Sequence, residues 1–285
     1  MTVRILHRGF NFSQDGPGNR LVYHLQGCNM HCPWCANPES VPVGGCIFAT
    51  GAEADRLCPY GAVHDGMPDA AVCEKCEKPC LSLHSPHLKF SCTEQSVEDV
   101  LREIDRSAMM FFDGGGVTFT GGEATVQFAA LSALLTALHE KGIHTALETN
   151  GAHKDLPSLF DRIDWLIMDC KHWNDKKHRE VIGVSNALTL QNIRLAAESR
   201  EQLLVRIPLI GGFNDSPADA EAFADVLSVL HGTQAVEVLR YHEYGRDKWK
   251  QCGKTYTMQN ASVSDDTFRA FCKVLQDRGL TLIHT

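Results

Sequence analysis

The chain predicts an α/β fold built on a parallel sheet, with a small cysteine-rich insert. Three observations predict it. From residue 93 onward, short apolar runs alternate with segments of helical period, the pattern of strand–helix units that lay their strands side by side in parallel. Residues 44–92 break that pattern, with six cysteines, several Gly and Pro, and no sustained helical period. Nine of the twelve cysteines lie before residue 93, so thiol chemistry is concentrated in the first third of the chain. The domains therefore read as 1–43 together with 93–285 for the main body, and 44–92 for an insert that depends on metal to fold.

The elements follow in order. Arg20–Gln26 reads as the first strand, with Leu21, Tyr23 and Leu25 on one face. Ser96 and Asp99 have capping-box spacing and open a helix to about Met110. Val117–Thr120 is a strand, and Val126–Lys141 a helix with Phe128, Leu131, Leu135 and Leu138 at helical spacing. His144–Glu148 and Trp165–Asp169 are strands, and Leu188–Ser199 is a helix. Leu203–Leu209 is a strand, and Pro217–His231 a helix with Ser216 as N-cap and Pro217 at its first position. Val236–Tyr241 is the sixth strand and Thr267–Arg278 the last helix. Six units are too few for a closed eight-fold barrel.

Composition removes several function classes. A 44% hydrophobic content over 285 residues suits one sizeable core. The formal charge is −8 and no basic patch stands out, which argues against a nucleic-acid binder. No stretch approaches the ~18 apolar residues of a membrane span. Met1–Phe10 has no apolar h-region, so a signal peptide is not expected. Twelve cysteines without an export signal point to a reducing cytoplasm and to metal rather than disulfides.

Cys28, Cys32 and Cys35 stand in the run Gly-Cys-Asn-Met-His-Cys-Pro-Trp-Cys-Ala-Asn-Pro-Glu, residues 27–39. Three thiolates from one short loop can hold three irons of a cubane [4Fe–4S] cluster, leaving the fourth iron without a protein ligand. A ferredoxin supplies four cysteines and closes its cluster. An unfilled position is what a catalytic metal site keeps. A zinc site or a redox thiol pair is the competing use of the same residues.

The CxxxCxxC loop resembles the signature of the radical S-adenosylmethionine (SAM) superfamily. Asp15-Gly16-Pro17-Gly18 with Arg20 stands before it, and Phe112–Thr118 leads into Gly121-Gly122-Glu123. Glu148-Thr149-Asn150-Gly151, Asp169-Cys170-Lys171 and Tyr241-His242-Glu243-Tyr244-Gly245 follow. In that order, over nearly the whole chain, these resemble the activating enzymes of glycyl radical enzymes, the group that contains the pyruvate formate-lyase activating enzyme. Radical SAM enzymes acting on small molecules or tRNA share the cysteine loop but usually lack the combined set. A ferredoxin-like carrier built from residues 44–92 leaves the strand–helix pattern unexplained.

The resemblance implies a partial (β/α)6 barrel, open on one side, with reactive groups at the C-terminal ends of its strands. It implies a catalytic [4Fe–4S] cluster on Cys28, Cys32 and Cys35, with SAM at the fourth iron. It implies a glycyl radical enzyme as partner, and an electron donor such as flavodoxin or ferredoxin. Gly121-Gly122-Glu123 then corresponds to the family's SAM-amino motif, with Glu123 toward the ammonium and Ala124 where the family usually has Pro. Trp34 would pack near adenine, Asp169 and Lys171 lie on the ribose and carboxylate side, Arg206 face the SAM carboxylate, and His242 the adenosyl side. Thr149 and Asp169 would serve a monovalent cation, with Glu148 where close relatives have Asp. Asp15 and Arg20 would hold the partner's peptide backbone.

Many of these relatives carry two ferredoxin-type motifs with eight cysteines in the insert. This chain has six: Cys46, Cys58, Cys73, Cys76, Cys80 and Cys92. In two-cluster ferredoxins the Cys of a Cys-Pro pair ligates the other motif's cluster. Cys58-Pro59 resembles that closing end, and Cys73, Cys76 and Cys80 resemble the opening ligands of the second motif. One auxiliary [4Fe–4S] cluster on Cys58, Cys73, Cys76 and Cys80 is expected, with Cys46 or Cys92 as substitutes for one member. A structural zinc on the same four thiolates is the alternative.

Overall fold

The computed structural model describes residues 1–11 and 14–285. The chain opens with β1 (Thr2–Asn11), which pairs antiparallel with β2 (Arg20–Leu25). The insert follows, with β3 (Ile47–Ala49), β4 (Val63–His64), β5 (Met67–Pro68), a short helix α1 (Ala70–Lys75) and β6 (Leu88–Phe90). Next come β7 (Thr93–Ser96), α2 (Val97–Ser107), β8 (Gly116–Gly121), α3 (Phe128–Glu140), β9 (Thr145–Thr149), β10 (Trp165–Asp169), α4 (Asp175–Ile182) and α5 (Ala187–Ser199). The chain ends with β11 (Leu203–Leu209), α6 (Pro217–Leu227), β12 (Ala235–Arg240), α7 (Arg246–Gln251) and α8 (Asp265–Asp277).

One eight-stranded sheet has the order β12-β11-β10-β9-β8-β2-β1-β7. The six expected strands are its parallel part, and β1 and β7 add an antiparallel edge that the sequence did not announce. This is the partial barrel, with β12 at one edge and β7 at the other. No described helix is long and apolar enough to cross a membrane.

The two-residue period of the strands divides the sheet chemically. Leu21, Tyr23, Leu25, Val117, Phe119, Leu147, Met168, Val205 and Val238 pack into the main core with Leu131, Leu134, Leu135 and Leu138 of α3. Each such aliphatic side chain contributes about 1.5–3 kcal/mol by leaving water, and Leu135→Ala would cost about 2–5 kcal/mol. The alternate strand positions carry Thr118, Thr120, Glu148, Asp169, Arg206 and Glu237. That polar face is where the site is built.

Local signals account for the helix limits. Ser96 Oγ accepts from Asp99 N at 3.0 Å and starts α2, which gives way to a 3-10 turn over Ala108–Met110. Ser216 and Asp219 form a full capping box at α6, with Pro217 in the first turn. α6 ends at Leu227, four residues earlier than its apolar pattern suggests. The insert has its own core of Ile47, Ala49, Ala54, Val63, Cys80 and Leu88. It also has one element the cysteine-rich pattern hid: α1, capped by Asp69 Oδ1 accepting from Ala71 N and Val72 N.

Candidate active site

The cysteine loop leaves β2 and is tied at both ends before any metal is considered. Gly27 N donates to Ser40 O at 2.7 Å and Cys28 N to Val41 O at 3.1 Å. His31 N donates to Ile182 O, and Asn150 Nδ2 to Asn29 Oδ1 at 2.7 Å. Met30, Ile182, Val184, Trp34 and Phe213 form an apolar shell around the three cysteines. Trp34 and Phe213 stand 5.0 Å apart, centroid to centroid.

Gly121 and Gly122 let β8 approach that loop. Gly121 has φ +128°, and a Cβ there would sit 2.2 Å from Leu25 N. A Cβ on Gly122 would sit 2.4 Å from Gly27 O. The approach fixes Glu123 N on Gly27 O at 2.8 Å. Glu123, 1% exposed, accepts from Thr125 N at 2.9 Å, Thr125 Oγ1 at 2.6 Å and Thr149 Oγ1 at 2.7 Å through Oε1. Its Oε2 accepts from Asn150 N at 2.6 Å. The carboxylate thus knits β8 to β9 and keeps spare acceptor capacity on Oε2.

These pieces surround a cavity of about 300 Å³. Its wall includes Cys28, Cys32, Cys35, Trp34, Gly121, Gly122, Glu123, Glu148, Thr149, Asp169, Lys171 and His242. Sequence reasoning had not singled out His24, Thr120 or Asn150, which also line it. Asn150 lies inside the Glu148–Gly151 motif, Thr120 ends the strand just before Gly121, and His24 shows only in the alternation of β2. A larger groove of about 1290 Å³ between β1, β7 and α2 holds no cysteine and is lined by charged residues such as Arg8, Glu94 and Arg102. It is a solvated cleft away from this chemistry.

Lys171 and Asp169 are already paired in the cavity. Lys171 Nζ lies 2.6 Å from Asp169 Oδ2. Burial would lower the Lys171 ammonium, but Asp169, Cys32 and Cys28 outweigh it and hold its pKa above the usual value. Burial pushes the Cys28 and Cys32 thiols up to about 12, and raises Cys35 as well. Such a dry set of thiols gains its thiolate form when a cation arrives, which fits a cationic iron–sulfur core. Among the described residues, no group of three or more His, Cys, Asp or Glu converges on a single metal-ion position.

Arg206 and Arg20 are each engaged by partners within the chain. Arg206 does not line the cavity. Its Nε donates to Glu237 Oε2 at 2.9 Å, its Nη1 to Glu148 Oε1 at 2.5 Å, and its Nη2 to the Gln14 carbonyl. Glu148 also accepts from Thr120 Oγ1 at 2.8 Å. Burial opposes the charge on Arg206, yet Glu148 and Glu237 hold its pKa above the ordinary value. The guanidinium is therefore held between two carboxylates, one of which, Glu148, is on the cavity wall. Arg20 is fully buried. It donates to Thr118 Oγ1 at 2.7 Å, Pro17 O at 2.9 Å and Val117 O at 2.7 Å, which makes it a bracket for the 14–18 turn rather than a free donor for a docking peptide. Asp15 is half-buried and gives its carbonyl to Thr118 Oγ1.

In the insert, Cys58, Cys73, Cys76 and Cys80 line one small void together with Tyr60 and Val72. Burial raises the Cys73 thiol to about 11, with Cys58, Cys80 and Cys76 adding to the rise. Cys46 lies apart, on a second cavity of about 490 Å³ that it shares with Cys252, Lys254 and Cys73.

The profile of the Radical SAM superfamily matches residues 22–224. The 4-hydroxyphenylacetate decarboxylase activating enzyme of Clostridioides difficile (strain CD196) is 32% identical, over 93% of this chain and 90% of that protein. The isethionate sulfite-lyase activating enzyme of Nitratidesulfovibrio vulgaris is 32% identical, over 90% of this chain and 89% of that protein. The crystal structure of a radical SAM methyltransferase from Sphaerobacter thermophilus superposes with a TM-score of 0.55 at 17% identity, covering 96% of this chain and 67% of the other; that likeness concerns the fold. With the cysteine loop, the strand-end cavity and relatives of this extent, the chain belongs to the radical SAM superfamily, within its activating enzymes of glycyl radical enzymes.

Proposed function

We propose that the strand-end cavity is where SAM meets a [4Fe–4S] cluster held by Cys28, Cys32 and Cys35, and that a glycine loop of a partner glycyl radical enzyme is brought to it. One observation carries the reading: three thiols of a single loop and the Glu123, Thr149, Asp169, Lys171 and His242 side chains share the wall of one cavity. When bound, the reduced cluster supplies the electron that splits the sulfonium bond of SAM, giving methionine and a 5′-deoxyadenosyl radical. That radical takes one hydrogen from the glycine Cα and leaves a glycyl radical on the partner. The protein's part is binding, orientation and exclusion of water.

In this reading Glu123 Oε2 receives the SAM ammonium, Lys171 the carboxylate, Asp169 the ribose, and Trp34 and His242 flank the adenosyl group. Glu148, Thr149 and Asp169 would border a monovalent cation. Asp15 would meet the partner's peptide. Cys58, Cys73, Cys76 and Cys80 hold one auxiliary [4Fe–4S] cluster, supported by their common void. Flavodoxin or ferredoxin would supply the electrons, and a reducing cytoplasm suits twelve free cysteines.

The test is anaerobic. Reconstituted protein with reductant and SAM should release 5′-deoxyadenosine, and the triple variant Cys28→Ala, Cys32→Ala, Cys35→Ala should release only background. Adding a glycyl radical decarboxylase or sulfite-lyase of the kind the relatives activate should produce a glycyl radical signal in electron paramagnetic resonance. Turnover of SAM by the triple variant would end the assignment. About eight irons per chain are expected for two cubanes; about four irons and one zinc would replace the auxiliary cluster by a zinc site.

A further inference from the structure

The segment Arg246–Lys254 follows the last of the motifs that define the site, yet together with Gly245 it contacts four residues at the end of the cysteine loop, Cys35, Asn37, Pro38 and Glu39. Trp249 Nε1 donates to the Cys35 carbonyl at 3.0 Å. Lys248 Nζ lies 2.7 Å from Asn37 Oδ1 and 3.1 Å from Glu39 Oε1. Lys254 Nζ donates to Pro38 O at 3.1 Å. A Cβ on Gly245 would fall 2.4 Å from the Cys35 carbonyl oxygen. Gly245 has φ −83°, so space against the loop, not backbone freedom, is what excludes a side chain.

The energetics of this contact are unusual. α7 has no buried residue, so core burial does not hold it in place. Glu39 is 7% exposed, and its Oε2 is buried without a hydrogen-bond partner. A half-satisfied buried carboxylate costs free energy, and Lys248 is the cation it faces. The arrangement therefore fixes one ammonium beside the loop, and Lys254 brings a second. A donor on the carbonyl of a ligating cysteine, Lys254 close by, and neutralisation by Lys248 of the Glu39 carboxylate that would otherwise oppose added electrons all favour the more negative, reduced state of an iron–sulfur cluster.

We propose that α7 and Lys254 clamp the Cys28–Cys35 loop and raise the reduction potential of the cluster it holds, with Trp249 and Lys248 as the positioning residues. This rests on the assignment of that cluster to Cys28, Cys32 and Cys35. The clamp would ease the one-electron reduction that must precede SAM cleavage.

The experiment is a redox titration of the anaerobically reconstituted full chain, followed by electron paramagnetic resonance. The signal that changes on adding SAM identifies the catalytic cluster. Trp249→Phe keeps the ring and loses the donor; Lys248→Met removes the charge and Lys248→Arg restores it. At the wild-type midpoint, Trp249→Phe and Lys248→Met should show a roughly tenfold lower ratio of reduced to oxidised cluster, about 59 mV for a one-electron couple, while Lys248→Arg stays near wild type. Loss of SAM-responsive iron with unchanged thermal melting would also support the clamp. If Trp249→Phe melts early, the Lys248→Met and Lys248→Arg pair decides. Midpoints unchanged in iron-loaded Trp249→Phe and Lys248→Met would overturn the inference. Retention of the SAM-responsive signal by the triple Cys→Ala variant would instead overturn the ligand assignment beneath it.

Discussion

Arg206→Ala separates scaffold from substrate binding. The guanidinium is 5% exposed and Glu237 is fully buried; the two are joined at 2.9 Å, and Glu148 takes the other side at 2.5 Å. Removing the arginine leaves the fully buried Glu237 and the cavity-lining Glu148 without their cation. Thr120 Oγ1 still donates to Glu148, and the Thr285 N and Oγ1 still donate to Glu237. Those neutral donors replace only part of the lost attraction. Breaking a buried pair costs about 3–5 kcal/mol. At about 2–4 °C per kcal/mol for a domain of this scale, melting should fall by roughly 6–20 °C. The assay is far-ultraviolet circular dichroism melting of the anaerobic protein, with Glu237→Gln added to Arg206→Ala to recover part of the loss. Lys171→Ala is the contrast. Its ammonium lies on the cavity wall, so a lost charge-assisted bond of about 1.5–3 kcal/mol should weaken SAM binding by roughly ten- to a hundredfold. If Arg206→Ala melts within about 2 °C of wild type and binds SAM tenfold more weakly, the scaffold role is refuted and the arginine belongs to the substrate.

Glu123→Gln should destabilise the chain by about 1–3 kcal/mol, because an amide NH₂ must face either the Asn150 N–H or the Thr125 and Thr149 donors; chemical denaturation that shows no loss would mean the motif relaxes around the change. In metal-free protein at pH 8, thiols held near 12 rather than about 8.5 should make alkylation of Cys28 and Cys32 slower by about three orders of magnitude than in the unfolded chain, read by mass spectrometry. Since those folded values are raised, the stability they contribute is complete below about pH 8.5 and drains away as pH rises toward 12, so metal-free protein should melt progressively earlier across that window.

What the sequence revealed and what it hid follow one physical divide. Cysteine ligands must reach one cluster from one loop, so their chemistry is written as spacing; Cys28, Cys32 and Cys35 share a cavity wall for that reason. Trp165–Asp169 and Leu203–Leu209 have the limits read from their apolar runs, since both faces of a central parallel strand are covered. β1 was missed because only Val3 and Ile5 of its ten residues are buried, too short an alternation to stand out. α4 buries only His178 and Ile182 and depends on its Asn174 and Gly183 caps, a signal present in the sequence but free of apolar period. Arg206 was assigned to the SAM carboxylate by resemblance, and its bonds to Glu148 and Glu237 were not legible because those partners are 58 and 31 residues away. Only the parallel register, Asp169 beside Arg206 beside Glu237, brings them together.

The pairing of Lys171 with Asp169 sets what the cavity can accept. The two are joined at 2.6 Å and mostly buried. A ligand carrying only a carboxylate would draw Lys171 away and strand Asp169 in a dry site; a ligand carrying only a cation would do the reverse. Both carry the cost of an uncompensated buried charge, several kcal/mol. A zwitterion gives its carboxylate to Lys171 and its ammonium to Glu123, leaves the ribose hydroxyls for Asp169, and brings no net charge into the cavity. The amino-acid end of SAM has that form. The expected consequence is a steep dependence on the whole zwitterion: a SAM analogue lacking the carboxylate should bind at least tenfold more weakly, and Lys171→Met should narrow that gap by removing the ammonium that only the carboxylate can satisfy. Calorimetric titration of the reconstituted protein measures both. Equal affinity for the two ligands in the wild-type chain would show that the Lys171–Asp169 pair does not open on binding, and that selectivity is set elsewhere in the cavity.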